Sequence, residues 1–292
     1  MIEKIKDNFL IILLFIYIIF CGVISLVEYN KDAKIWYAQD VEFYDKCQTD
    51  PSFSPACNNM YKNPIQKRDT LNTFGYITVC YRPFRLLSIL MPLFVMIIVT
   101  LEFNRKLRKG YFKNSIMRIG YKNSFLKLYS KSLKITFVLP FLLVILLICC
   151  YFVSGNFDYE YGVYFYRFDS FGVENCKNIV LFLIVYLSNF ILHGIFWVNI
   201  AIYNCRHNKH SIVSIVFSYI EYLLLFVISS LIGRTFFPNS TFSYYFSFTY
   251  IWSFHYGTLL GILIFSLVPA LLSTIILLLS YKNNEKALSS LA

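Results

Sequence analysis

Six stretches of this chain are too long, too apolar and too poor in charge for an ordinary water-exposed domain: residues 9–27, 86–101, 135–153, 179–203, 212–232 and 258–279. An α-helix rises about 1.5 Å per residue and a bilayer's hydrocarbon core is about 30 Å thick, so each run matches one membrane crossing. Lipid offers no hydrogen bonds to an open backbone, which leaves helices or a closed barrel. No ten-residue alternation of a barrel strand is present. The composition agrees, at 58% hydrophobic against 15% charged residues. The expected fold is an all-α membrane protein of six transmembrane helices. Pro92, Pro140 and Pro269 fall within runs, where neighbouring helices can satisfy the freed carbonyls.

The first run follows a short basic start, MIEKIKDN, as a secretory leader's would. Its length exceeds the roughly 7 to 15 apolar residues of such a leader, and no small-residue cleavage site follows. It reads as a retained anchor.

The bias of Lys and Arg between alternate loops sets orientation. Residues 1–8, 104–134, 204–211 and 280–292 together hold sixteen basic residues and three acids, whereas 28–85, 154–178 and 233–257 hold eleven of each. Both termini and the loop 102–134 are therefore expected in the cytoplasm. The formal net charge of +11 reads as this topological signal and gives no reason to invoke nucleic acid. The expected organisation is a cytoplasmic start and first helix (1–27), an extracellular insertion (28–85) and a five-helix remainder (86–292).

The insertion carries Cys47, Cys57 and Cys80 among Pro, Asn, Asp and Tyr, as a small folded extracellular unit would. Cys47 and Cys57 flank two prolines and could pair in an oxidising exterior; three cysteines are an odd number, so free thiols remain the other reading. Cys21, Cys149 and Cys150 lie within apolar runs and read as small hydrophobes. The nearest approach to a metal site, NCRHNKH at 204–210, lacks a second pair of ligands, and no metal site is expected. No phosphate-binding loop, HExxH or GxSxG is present, so no catalytic residue is assigned and the chain is expected not to be an enzyme.

Polar groups within membrane runs usually face a bundle interior or a water-filled path. Glu221 is the one acid well inside a run; Asn189 and His193 stand four apart, on one helix face of the fourth, with Asn199 beyond them. These residues read either as a translocation path through Asn189, His193 and Glu221, or as hydrogen-bonding contacts between helices, with Glu221 against Tyr219, Tyr222 or His193. Residues 233–257 hold eleven aromatic rings and no acid, which suits a re-entrant outer segment or an interfacial aromatic belt.

The loop 102–134 holds ten basic residues and, after Glu102, no acid. Charge for topology alone needs no apolar residues, yet Phe112, Ile116 and Ile119 recur at helical spacing, as do Phe125, Leu128 and Tyr129, with Gly110 and Gly120 as punctuation. Two or three short amphipathic helices are expected, lying on anionic lipid or held by a cytoplasmic partner. Glu102 is expected to pair with Arg105, Lys106 or Arg108.

The run Glu102, Arg105, Lys106, Arg108, Lys109, Gly110, then Ile116, Met117, Arg118, Ile119, Gly120, Tyr121, and Tyr129, Ser130, Lys131 resembles the first cytoplasmic loop of type-2 ABC exporter permeases. The six-span plan and the aromatic outer segment resemble that family too; the long insertion after the first run and "GYFKNS" in place of a Gly-Thr step depart from it. The resemblance implies a dimer of six-helix bundles, with a second copy or a related permease, in a bacterial plasma membrane. It implies separate cytoplasmic subunits that bind ATP and Mg, and a coupling loop docked on them through Glu102, Arg105, Arg108, Tyr111, Phe112, Ile116, Arg118 and Ile119. The implied function is export of a peptide or amphipathic substrate. The alternative is a non-transporting sensor or immunity protein whose extracellular segment binds a ligand.

Overall fold

The structure, a computed structural model, describes residues 2–49, 70–80, 82–108, 111–155, 157, 173–207, 210–238, 240, 242–247, 251 and 257–282. Its elements in chain order are α1 (Ile2–Thr49), α2 (Thr70–Cys80), α3 (Arg82–Arg108), α4 (Tyr111–Ile119), α5 (Tyr121–Ser132), a 3-10 segment (Leu133–Phe137), α6 (Val138–Ser154), α7 (Val173–Cys176), α8 (Ile179–His207), α9 (Ser211–Phe236), α10 (Ser243–Phe246) and α11 (Leu259–Lys282). Among the described residues there is no strand.

Five helical stretches among the described residues are long and apolar enough to cross a membrane: Ile12–Asp32, Tyr121–Ser154, Ile179–Arg206, Ser211–Phe236 and Leu259–Tyr281. The remaining apolar run, 86–101, lies inside α3, a helix of 27 residues that continues past it to Arg108. The chain is a multi-pass helical membrane protein.

α8 is the centre of the bundle, packed against α11, α3, α9, the 3-10 segment and α6. Its start is fixed locally: the Asn178 side chain accepts from the Leu181 amide at 3.1 Å and so caps a free N–H of the first turn. Its approach to the 3-10 segment depends on Gly194, where an added Cβ would stand 2.9 Å from Thr136 Cβ. Backbones can come this close only where one residue lacks a side chain.

The described parts of the expected insertion are built differently from a detached unit. Residues 28–49 continue α1, whose 48 residues extend about 72 Å, far beyond one crossing. α2 then returns and packs on α6, α3 and α1. Tyr29 shares a 2.9 Å hydrogen bond with Thr73, Thr70 meets Ser154 at 2.7 Å, and Phe74 packs edge-on against Tyr186 of α8 at 5.7 Å. Cys57 lies outside the described residues, as does the side chain of Cys47, and with them the expected pairing.

Candidate functional site

α3 carries the chain out of the bundle and ends in charge. Glu102 pairs with Lys106, one helical turn on, and lies 3.5 Å from the Lys131 ammonium of α5. Of the three partners expected for Glu102, Lys106 is thus in place, while Lys131 comes from the far arm of the loop. Desolvation pulls the Lys106 ammonium below the usual lysine range; Glu102 opposes that shift, and the nearby Lys131 adds to it. Arg105 is half-buried, and the side chains of Arg108 and Tyr111 lie outside the described residues.

α4 and α5 meet at an elbow. Gly120 adopts φ 77° and ψ 164°, a backbone conformation that is essentially restricted to glycine. Its carbonyl accepts from the Ser124 hydroxyl at 2.7 Å, which ties the elbow to the first turn of α5. Beside it, the three residues expected to form one outward stripe face different ways. Phe112 is 1% exposed and packs edge-on against Tyr121, Ile116 is half-buried against the core, and Ile119 is 42% exposed. The face that α4 presents outward is formed by Met117, Arg118 and Ile119. Phe112 turns in because the Gly120 elbow folds α5 back over that side of α4, and a ring gains more from contact with Tyr121 than from water.

The elbow is locked to the bundle through Tyr281, a residue near the end of α11 that spacing within the loop could not reveal. The Tyr121 hydroxyl donates to the Tyr281 carbonyl at 2.8 Å. The Tyr281 ring stacks on Phe125 of α5, with centroids 4.3 Å apart, and stands edge-on to Phe103 of α3 at 6.4 Å. Its own hydroxyl donates to the Ile202 carbonyl of α8 at 2.9 Å. One buried ring therefore joins α3, α5, α8 and α11. Arg206 donates to Ser280 beside it.

Further into the bundle, Asn199 makes a second junction. It accepts from the Tyr129 hydroxyl of α5 at 2.9 Å and donates to Ser273 and Thr274 of α11, both at 2.9 Å. Nearer the start of α8, the Asn189 amide donates to the Ile251 carbonyl at 3.1 Å and accepts from Ser266 at 2.6 Å. Asn189 stands ten residues into α8, so Ile251 of the aromatic 233–257 segment lies about 15 Å along from the start of that helix. The His193 ring is buried, its Nδ1 2.9 Å from the Asn189 carbonyl.

α9 and α11 both pack on α8 but make at most marginal contact with each other, and the space between them is a cleft of about 390 Å³. Phe196, Ile200, Leu225 and Leu272 supply apolar wall; Asn199, Glu221, Ser229 and Ser273 supply polar groups. Glu221 Oε2 accepts from the Asn204 side chain at 2.7 Å, so its partner is Asn204 rather than Tyr219, Tyr222 or His193. Oε1 has no protein partner among the described residues. The three residues expected along one path thus divide: Asn189 holds Ile251, His193 is buried against the Asn189 carbonyl, and Glu221 opens on the cleft. Short α10 packs on both α9 and α11 near the end of α9 and the start of α11, where Tyr245 stacks on Phe265 at 4.7 Å.

Among the described residues, no group of three or more His, Cys, Asp or Glu lies close enough to hold a metal ion. No protein-family model, curated protein or solved structure matches this chain.

Proposed function

We propose that this chain is the membrane-spanning subunit of an ATP-driven exporter for a peptide or amphipathic substrate. In this reading α3 is a sixth crossing, both termini face the cytoplasm of a bacterial cell, and residues 28–85 form an extracellular insertion. A separate cytoplasmic subunit binds ATP and Mg, and two six-helix bundles work together in the plasma membrane.

The observation that carries the reading is the link from α4 to the cleft. A transmission element must be rigid, must present a face to a motor and must grip the helices it moves. α4 exposes Met117, Arg118 and Ile119. The elbow behind it is bonded to α11 through Tyr121 and Tyr281, and from Tyr281 to α8. A force on α4 would reach α11, one wall of the cleft, and α8, which lines it between α9 and α11. Inside that cleft Glu221 offers a charged acceptor in a mostly apolar enclosure, ten residues into α9 and so about 15 Å from its start. Such a lining suits a molecule that is apolar over most of its surface and carries a hydrogen-bond donor or a cation.

The test is purification of the tagged chain from its native membranes with ATPase activity followed through each step. The expected result is a nucleotide-binding subunit retained in fixed ratio, whose hydrolysis falls about tenfold in the Ile119→Asp variant through loss of one apolar anchor. A chain that purifies without any ATPase subunit, or a complex indifferent to Ile119→Asp and Met117→Asp together, would overturn the assignment.

A further inference from the structure

At the cytoplasmic edge of the bundle, a second and smaller cavity of about 240 Å³ is lined by Lys106 of α3, by Lys127, Leu128, Ser130 and Lys131 of α5, and by Lys134 of the 3-10 segment. Orientation in the membrane needs only that basic residues lie on one side, with no requirement that they converge. Here four lysine side chains line one small enclosure. Glu102, which touches Lys106 and Lys131, is the carboxylate paired with them, so the cluster keeps an excess of three positive charges. Lys106 is held at 13% side-chain exposure within it. Like charges drawn together, with Lys106 largely shielded from water among them, are costly unless an anion joins them.

The geometry below the pocket favours one kind of anion. Lys127, Lys131 and Lys134 follow one another at spacings of four and three, which keeps them on one helical face. Lys134 and Phe137 are three apart within the 3-10 segment, where residues three apart eclipse each other along the axis. Phe141 follows four residues later in α6. Phe137 and Phe141 are both strongly exposed, as is Ile148 one further heptad along. A stripe of cations thus runs directly into a stripe of exposed apolar side chains that enters the membrane. A soluble phosphate could use only the first half of this surface; a phospholipid with an anionic head group uses both.

We infer that this pocket binds the phosphate of an anionic phospholipid, with the acyl chains laid along Phe137, Phe141 and Ile148. The bound lipid bridges α3 to α5 at the point where Glu102 already draws them together. The site does not depend on transport and would exist in a protein of either function considered above.

The experiment uses the purified full-length protein, delipidated in a neutral detergent, with thermal unfolding followed on addition of phosphatidylglycerol, phosphatidylcholine or inorganic phosphate. The expected result is saturable stabilisation by phosphatidylglycerol, little by phosphatidylcholine, and none by phosphate at matched concentration. The Lys127→Gln/Lys134→Gln variant should bind phosphatidylglycerol roughly thirtyfold more weakly, about fivefold per lysine. Lys127→Arg/Lys134→Arg should retain binding, as should Lys113→Gln/Lys122→Gln, whose exposed lysines lie outside the pocket. Equal stabilisation by both lipids, or full binding by the Gln variant, would overturn the site. Stabilisation by inorganic phosphate as strong as that by phosphatidylglycerol would overturn the lipid as its occupant.

Discussion

α8 and α9 are neighbours of nearly equal length and apolarity, their crossing spans 28 and 26 residues with mean hydropathies of 2.3 and 2.2, yet 44% of the first's most apolar window is buried and only 17% of the second's. Overall hydropathy therefore marks both as membrane helices and says nothing about which one is central. The difference lies in where their polar groups go. α8 spends Asn189, Asn199 and Asn204 on contacts with Ile251, α5, α11 and α9. α9 directs Glu221 into the cleft and turns Val216, Phe217, Ile220, Leu224 and Ile228 outward. In lipid, apolar contact does little to choose helix partners, so side-chain hydrogen bonds and close packing choose them instead. The centre of this bundle is the helix with most of those bonds, and α9 is a wall that makes fewer of them.

Substitutions at the junctions should therefore cost far more than substitutions on the outward face of α9. The largest loss is expected for Tyr281→Ala, which removes the ring shared by α3, α5, α8 and α11 and should destabilise by about 3–4 kcal/mol in denaturant titrations in detergent. Next comes Asn199→Leu, which leaves the buried Tyr129 hydroxyl without its acceptor and should cost about 2 kcal/mol by the same assay. Gly120→Ala has no steric neighbour to meet, so its cost is the strained backbone alone, about 1–2 kcal/mol. Leu224→Ala, on the exposed side of α9, should change stability by less than about 0.5 kcal/mol. A Leu224→Ala loss as large as that of Asn199→Leu would break the contrast between the two helices, and would instead place α9 in a stable interface of its own.

The helices were legible in the sequence because apolar runs of crossing length leave few alternatives, and the loop's two short helices because Gly120 interrupts a helical repeat. The facing of that loop was not. A ring at Phe112 satisfies a helical pattern whether it meets a partner or its own core, and only the elbow's return over α4 decides between them. Tyr281 escaped notice because its role depends on four elements that come together only in three dimensions. The pairing of Glu221 with Asn204 was hidden by geometry. Side chains lean toward the N-terminus of their helix, so on antiparallel α8 and α9 these two lean toward each other across more than a turn. Simple level-counting from the short connection would have matched Asn204 with Ser214, whose hydroxyl does reach the Asn204 carbonyl at 3.4 Å.

The central claim is that force applied at α4 changes the cleft between α9 and α11. Spin labels on Leu225→Cys and Leu272→Cys, in a cysteine-depleted chain complexed with its nucleotide-binding subunit, report the width of that cleft by pulsed electron resonance. The account predicts one distance distribution without nucleotide and a shifted one with bound ATP, the shift being lost in the Tyr121→Phe/Tyr281→Ala variant, which removes both the bond to the Tyr281 carbonyl and the shared ring. A distribution unchanged by ATP in an intact, hydrolysing complex would contradict it.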